Sequence, residues 1–199
     1  MKGYYFITDS SLSRSGAASD VRNALKAKVE LVQYRDKAKF TLELYKEAFK
    51  LRKICKSALF IVNDRVDIAL AVDADGVHIG QDDLTYAPTR KLLGRKRIIG
   101  VTVHALKEAQ AAQAQGADYV AVSPIFATST KPDAGPAAGL MLLKIIRRQV
   151  KLPIVAIGGI TLLNAPAVID AGADMVCAIS AVVTKKDVLG QIKKFQQLF

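Results

Sequence analysis

Eight short runs rich in β-branched and aromatic residues alternate along the chain with longer amphipathic segments, and this alternation predicts a parallel α/β fold. Two further observations narrow the prediction to a single (β/α)8 TIM barrel spanning residues 1–199. The eight units are near-equal in length, and no linker, low-complexity stretch or composition shift marks a second domain. An open doubly wound sheet is the competing architecture. The even count of units favours the barrel, at the compact end of that fold.

The strand-like runs are Tyr4–Thr8, Glu30–Tyr34, Leu59–Val62, Gly76–Ile79, Ile98–Val103, Tyr119–Ser123, Ile154–Ile157 and Met175–Ile179. Each is short and largely apolar, as a buried parallel strand should be. The segment Thr41–Lys56 reads as a helix, with Leu42, Tyr45, Phe49 and Leu51 taken as its apolar face. Leu106–Gln115 is rich in Ala, Gln and Glu, and Gly116 follows it as a helix-closing residue. Leu140–Gln149 and Asp187–Leu198 read the same way. A cadence recurs before three strands: Asp73-Ala74-Asp75-Gly76, Gly116-Ala117-Asp118 and Gly172-Ala173-Asp174. Each instance is a helix end feeding the next strand.

Composition bounds the function. Of 199 residues, 51% are apolar and 24% charged, which suits a packed core and argues against disorder. Lys plus Arg number 29 against 18 Asp plus Glu, a net charge of +11. Such an excess invites a nucleic-acid or anionic-membrane partner. However, many of the cations (Lys26, Lys28, Lys46, Lys50, Lys53, Lys56, Arg147, Arg148, Lys193 and Lys194) fall on expected helix exteriors, and aromatics are only 7%. That pattern disfavours a nucleic-acid partner. No run of ~18 apolar residues suggests a transmembrane helix. The start, Met1 to Asp9, turns polar too early for a leader peptide. Two lone cysteines, Cys55 and Cys177, read as buried thiols in a reducing cytoplasm.

In a barrel of this kind, chemistry lies at the C-terminal ends of the strands. The second strand ends in Gln33-Tyr34-Arg35-Asp36-Lys37. Alternate residues share a face, so Gln33, Arg35 and Lys37 converge as an anion clamp, Arg as a planar fork and Lys as a point charge. The third strand ends in Asn63-Asp64-Arg65 and the fourth in Gly80-Gln81-Asp82-Asp83. Carboxylates from neighbouring strands beside a basic clamp read as a Mg2+–diphosphate site, because Mg2+ takes one or two carboxylates plus phosphate and water. The bland alternative for Asp64 and Asp83 is helix N-capping.

The fifth strand ends in Thr102-Val103-His104. Thr102 offers a hydroxyl to a ligand, while a lone histidine such as His104 is more often structural. His78 lies inside the fourth strand and reads as core. The sixth strand leads into a long loop, Pro124 to Gly139, carrying Thr128, Ser129, Thr130 and Lys131 between Pro and Gly residues. A loop of that length in so compact a fold suggests a lid. Gly158-Gly159 after the seventh strand and Ile179-Ser180 after the eighth suit a second, phosphate-binding cup.

Taken together, these motifs resemble the thiamine-phosphate synthase family. The resemblance runs through Tyr5-Phe6-Ile7-Thr8-Asp9, Gln33–Lys37, Asn63–Ala69, Ala74–Asp83, Gly116–Tyr119, Pro124–Lys131 and Ala156–Ile160. It implies a barrel that joins a hydroxymethylpyrimidine diphosphate to a thiazole phosphate and releases diphosphate. It also implies that Arg35, Lys37 and Lys131 act catalytically, and that Gln33, Asn63 and Thr102 join them on the pyrimidine substrate. Tyr34, Asp36 and Ser129 fall within the matching binding segments. Asp64 and Asp83 would hold Mg2+, and Thr128, Thr130, Gly159, Ile179 and Ser180 the thiazole phosphate. The implied mechanism is dissociative and uses no protein nucleophile. Thr102 stands where the family usually has Ser, Asp36 where Glu is usual, and Ser123 where Gly is common. The related thiazole tautomerase branch shares the barrel but does not need Asp64, Asp83 and Lys131, so their presence argues against it. A non-catalytic phosphate-ligand binder is the remaining alternative.

Overall fold

The computed structural model describes residues 1–130 and 135–199. The strands are β1 (Gly3–Tyr4), β2 (Phe6–Ile7), β3 (Leu31–Tyr34), β4 (Leu59–Asn63), β5 (Gly76–Ile79), β6 (Ile98–Val103), β7 (Tyr119–Val122), β8 (Ile154–Ile157) and β9 (Met175–Cys177). All pair in parallel, in the order β1-β9-β8-β7-β6-β5-β4-β3-β2. The expected first strand, Tyr4–Thr8, is therefore two pieces flanking Tyr5. Tyr4 registers with Val176 of β9, whereas Phe6 registers with Val32 of β3. In a tilted, staggered barrel a short strand meets its two neighbours at different heights. The ring closes through Tyr5, so the eightfold barrel is confirmed with its first strand split.

The helices are α1 (Ala17–Lys26), α2 (Thr41–Ile54), α3 (Val66–Ala71), α4 (Tyr86–Leu93), α5 (Leu106–Gln115), α6 (Gly139–Gln149), α7 (Ala165–Asp170), α8 (Ser180–Val183) and α9 (Val188–Gln196). The sequence predicts the other eight; α8 is an extra turn that begins directly after Ile179, the expected end of the last strand, which itself stops at Cys177. Gly116 closes α5 in the left-handed region, as expected. Half of the apolar face expected for α2 holds: Leu51 is buried and Tyr45 packs partly buried against the core, whereas Leu42 and Phe49 are exposed. Leu44, Ala48 and Leu51 are the buried stripe, while Leu42 is 63% exposed and Phe49 40%. Tyr45 and Phe49 stack on each other, ring centroids 5.9 Å apart.

Two apolar layers follow from strand alternation. Outward residues such as Val32, Phe60, Val62, Val77, Ile99 and Val120 pack under the helices. Inward residues, among them Tyr5, Ile7, Leu31, Ile61, Tyr119, Val155, Met175 and Cys177, fill the barrel interior. Gly100 makes room there: a Cβ on it would lie 2.0 Å from Cζ of Tyr119.

The recurring Ala-Asp cadence has a second job. Asp75 accepts the amide of Phe60 in β4, Asp118 that of Ile99 in β6, and Asp174 that of Ile154 in β8, at 2.7, 2.8 and 2.8 Å. Each carboxylate also receives an arginine from the helix that precedes that strand, namely Arg52 of α2, Arg90 of α4 and Arg147 of α6. Those guanidiniums further donate to backbone carbonyls at the ends of their own helices, such as Cys55, Gly94 and Val150. Arg147 is thus a structural clip rather than a solvated exterior charge.

Candidate active site

A cavity opens at the C-terminal mouth of the barrel. Alternation along β3 aims Gln33 inward, and Arg35 and Lys37 continue the same face, so all three line the cavity. Tyr34 and Asp36 take the opposite parity. Tyr34 donates to Glu47 of α2 at 2.8 Å, and Asp36 receives Lys39 at 2.5 Å and the hydroxyl of Ser10. Both sit on the outer side of β3 and neither lines this cavity, unlike the other residues of the segment; their contacts brace the loop that carries Arg35 and Lys37. Burial alone would raise the Asp36 carboxyl, but Lys39, Ser10 and the Ala38 amide more than offset it and hold it low.

Asp9 lies 3.5 Å from the Arg35 guanidinium and accepts the backbone amides of Ser11 and Leu12, both at 3.1 Å. Thr8 adds a hydrogen bond to the Arg35 amide at 2.9 Å. Both residues hold the arginine in place from the end of β2, a role that sequence reading did not assign. Their signal was only that they end the first strand at the level of the clamp.

Asp64 and Asp83 both line the cavity, with Asn63 beside them. The N-capping alternative fails, since neither α3 nor α4 carries a side-chain cap. Asp64 instead adopts a left-handed backbone, φ 59°, which Asp tolerates better than most residues. Its amide donates to the carbonyl of His78 at 2.8 Å, tying the turn to β5. Asp64 receives Lys37, and Asp83 accepts the Gly80 amide at 2.7 Å. Burial and then the adjacent Asp64 carboxylate push the Asp83 carboxyl above its ordinary range. Two carboxylates this close, one of them held toward its neutral form by the other, make a natural seat for a divalent cation. Among the described residues no group of three or more His, Cys, Asp or Glu could hold a metal. A pair suits Mg2+, which draws its other ligands from phosphate and water.

Thr102, Thr128, Thr130, Gly159, Ile179 and Ser180 also line the cavity. Ser129 is exposed and does not line it. Gly158 and Gly159 have positive φ, 101° and 61°. A Cβ on Gly158 would meet Pro124 at 2.5 Å, and one on Gly159 the Ala127 carbonyl at 2.6 Å. Only glycines let β8 run this close to the loop after β7. Lys131 lies outside the described residues. His104 is exposed and its Nδ1 meets the Ser123 carbonyl at 2.6 Å, in keeping with a structural histidine.

Sequence reading missed the cavity floor. Tyr5 and His78 line it, and both are joined to Tyr119 beneath it. Within apolar strands they read as core; their inward parity was the available signal.

The geometry agrees with comparisons to known proteins. A family model described as thiamine monophosphate synthase matches residues 4–182. A thiamine-phosphate synthase of Methanosarcina barkeri is 51% identical over 96% of this chain and 88% of its own length. One from Methanospirillum hungatei is 47% identical over 98% of this chain and 97% of its own. The solved thiamine phosphate pyrophosphorylase of Pyrococcus furiosus superposes with a TM-score of 0.90 at 38% identity, covering 98% of this chain and 94% of that one. A 3-hexulose-6-phosphate synthase, 18% identical with a TM-score of 0.76, shares the fold. With so much of both chains covered at such identity, and the cavity built from the matching strand ends, this chain belongs to the thiamine monophosphate synthase family.

Proposed function

We propose that this chain is a thiamine-phosphate synthase, joining 4-amino-2-methyl-5-hydroxymethylpyrimidine diphosphate to a thiazole phosphate with release of diphosphate. The observation that carries the reading is the juxtaposition at one mouth of Arg35 and Lys37 with the paired carboxylates Asp64 and Asp83. A diphosphate is the ligand that needs both, since its charge is met by cations directly and by carboxylates through a metal. Mg2+, held by Asp64 and Asp83, would supply charge neutralisation at the departing diphosphate.

The chemistry asks little else of the protein. The bond from the pyrimidine methylene to the diphosphate oxygen breaks, and its electron pair leaves with the diphosphate. The thiazole nitrogen lone pair then forms the new carbon–nitrogen bond. Arg35 and Lys37, with Lys131 from the loop, stabilise the charge that gathers on the leaving oxygens. Gln33, Asn63 and Thr102 orient the pyrimidine. Thr128 and Thr130, with the backbone at Gly159, Ile179 and Ser180, suit the thiazole phosphate. No protein nucleophile is required.

Small molecules are the partners this reading implies, and nucleic acid is not among them. Cys55 and Cys177 are buried and unpaired with each other, which fits a cytoplasmic setting. Among the described residues no helix is long and apolar enough to cross a membrane. The test is an assay of the purified protein with both substrates, with and without Mg2+, following thiamine phosphate. Metal-dependent product is expected; none under metal-replete conditions overturns the reading.

A further inference from the structure

A continuous chain of hydrogen bonds crosses the floor of the cavity. Gln33 Nε2 donates to the Tyr5 hydroxyl at 2.7 Å, and the Tyr5 and Tyr119 hydroxyls are 2.8 Å apart. Tyr119 meets His78 Nδ1 at 2.9 Å, and His78 Nε2 meets Thr102 Oγ1 at 2.8 Å. The interior is built around it. Tyr5 packs edge-on to Tyr119 at 5.9 Å, and His78 stacks on Tyr119 at 5.5 Å. Gly100 leaves the space that the Tyr119 ring occupies, since a Cβ there would lie 2.4 Å from its hydroxyl oxygen.

The chain has a property that no single bond in it has. Burial pushes both phenols up, so each keeps one proton to donate. A neutral imidazole also has one donor and one acceptor nitrogen. With the imidazole neutral, the arrangement in which each of the three inner groups both accepts and donates runs in one direction through all four bonds. With Gln33 donating, Tyr5 donates to Tyr119, Tyr119 to His78 Nδ1, and His78 Nε2–H to Thr102. Gln33 then keeps its carbonyl oxygen for a ligand, and Thr102 keeps its hydroxyl proton. The reverse order requires the Gln33 amide and the protons of all three inner groups to turn over together, so a ligand that fits the order shown is bound without that reorganisation.

We propose that the chain Gln33–Tyr5–Tyr119–His78–Thr102 is a positioning device that fixes, as one unit, an acceptor at Gln33 and a donor at Thr102 toward an aminopyrimidine ring. Tyr5, Tyr119 and His78 are its positioning residues. This rests on the functional reading above and deepens it. A 4-aminopyrimidine carries an exocyclic N–H donor and ring-nitrogen acceptors, the complement of the observed polarity. Its 4-oxo analogue exchanges donor and acceptor on that edge and faces the wrong polarity at both ends. Buried polar groups left unpaired in this way are costly, so the chain selects the amine.

Tyr119→Phe is the sharpest test, because Tyr119 does not line the cavity and the change removes one oxygen while keeping the ring. Binding of three probes is measured by calorimetry: the 4-amino pyrimidine diphosphate, its 4-oxo analogue and inorganic diphosphate. The wild type is expected to prefer the amine, and Tyr119→Phe to lose about tenfold or more of that preference. Affinity for inorganic diphosphate should not change. Tyr5→Phe should give the same loss, and the double variant no more than either single one, because one cut already uncouples the ends. Equal weakening of all three probes, additive losses, or an unchanged preference overturns the proposal. If Tyr119→Phe does not fold, Tyr5→Phe carries the same three-probe test. Wild-type protein that makes no thiamine phosphate overturns the functional reading instead, while the binding preferences still judge the chain.

Discussion

At the N-terminal end of the barrel, Asp75, Asp118 and Asp174 each hold one strand amide and one arginine. At the C-terminal end, Asp64 and Asp83 face each other, and Lys37 makes its direct contact with Asp64. The residue types are the same and the arrangements are opposite. Below, every carboxylate is neutralised and hydrogen-bonded, so each clip ties two strands and a helix end together. Above, like charges stand together, and among the described residues Arg35 is paired with Asp9 at the long distance of 3.5 Å. Charge that is satisfied internally stabilises the fold; charge left for a ligand binds one.

The contrast predicts that changes above and below separate activity from stability. The largest effect is expected for Arg35→Ala. Thiamine phosphate formation should fall by about 10²–10³-fold while the melting temperature stays near that of the parent. Lys131→Ala is expected to behave alike. Steady-state kinetics beside thermal unfolding decide this, and loss of folding in Arg35→Ala would break the division. Next is Asp64→Asn, expected to raise the Mg2+ concentration for half-maximal rate by about tenfold or more. An unchanged metal titration removes Asp64 from the ligand set.

Below, the signs reverse. Asp118→Ala leaves the Ile99 amide and Arg90 without their partner and is expected to cost about 1–2 kcal/mol in denaturant unfolding. Both KM values should stay at the parental level; a changed KM would mean that the two ends are coupled. The smallest effect is expected for Asp73→Asn. Asp73 pairs with Arg97 but is 83% exposed, and such a pair contributes less than about 1 kcal/mol.

The upper site was partly legible before folding. Period-two alternation picks out Gln33, Arg35 and Lys37, and the same rule, applied strictly, excludes Tyr34 and Asp36. Those two entered by lying between site residues in sequence, which in a strand means the opposite side. The floor was less legible. Tyr5, His78 and Tyr119 come from strands far apart in the chain, and each alone looks like a core residue. The α2 face failed in part for a related reason. An aromatic pair on a helix surface, Tyr45 and Phe49, outweighs small buried residues such as Ala48 when only side-chain size is read.

Local rules sufficed for the alternation of strands and helices, the closing role of Gly116, the Ala-Asp cadence and the polar character of the strand ends. These depend on neighbours within a few residues, and one chain segment carries them complete. What Tyr5 splits, which arginine meets which aspartate, that Asp64 and Asp83 stand together at the cavity rather than cap helices, and that five side chains join into one chain of hydrogen bonds were decided by barrel closure. Each requires groups from separate strands at one height, and stagger, set only when the sheet closes on itself, places them there.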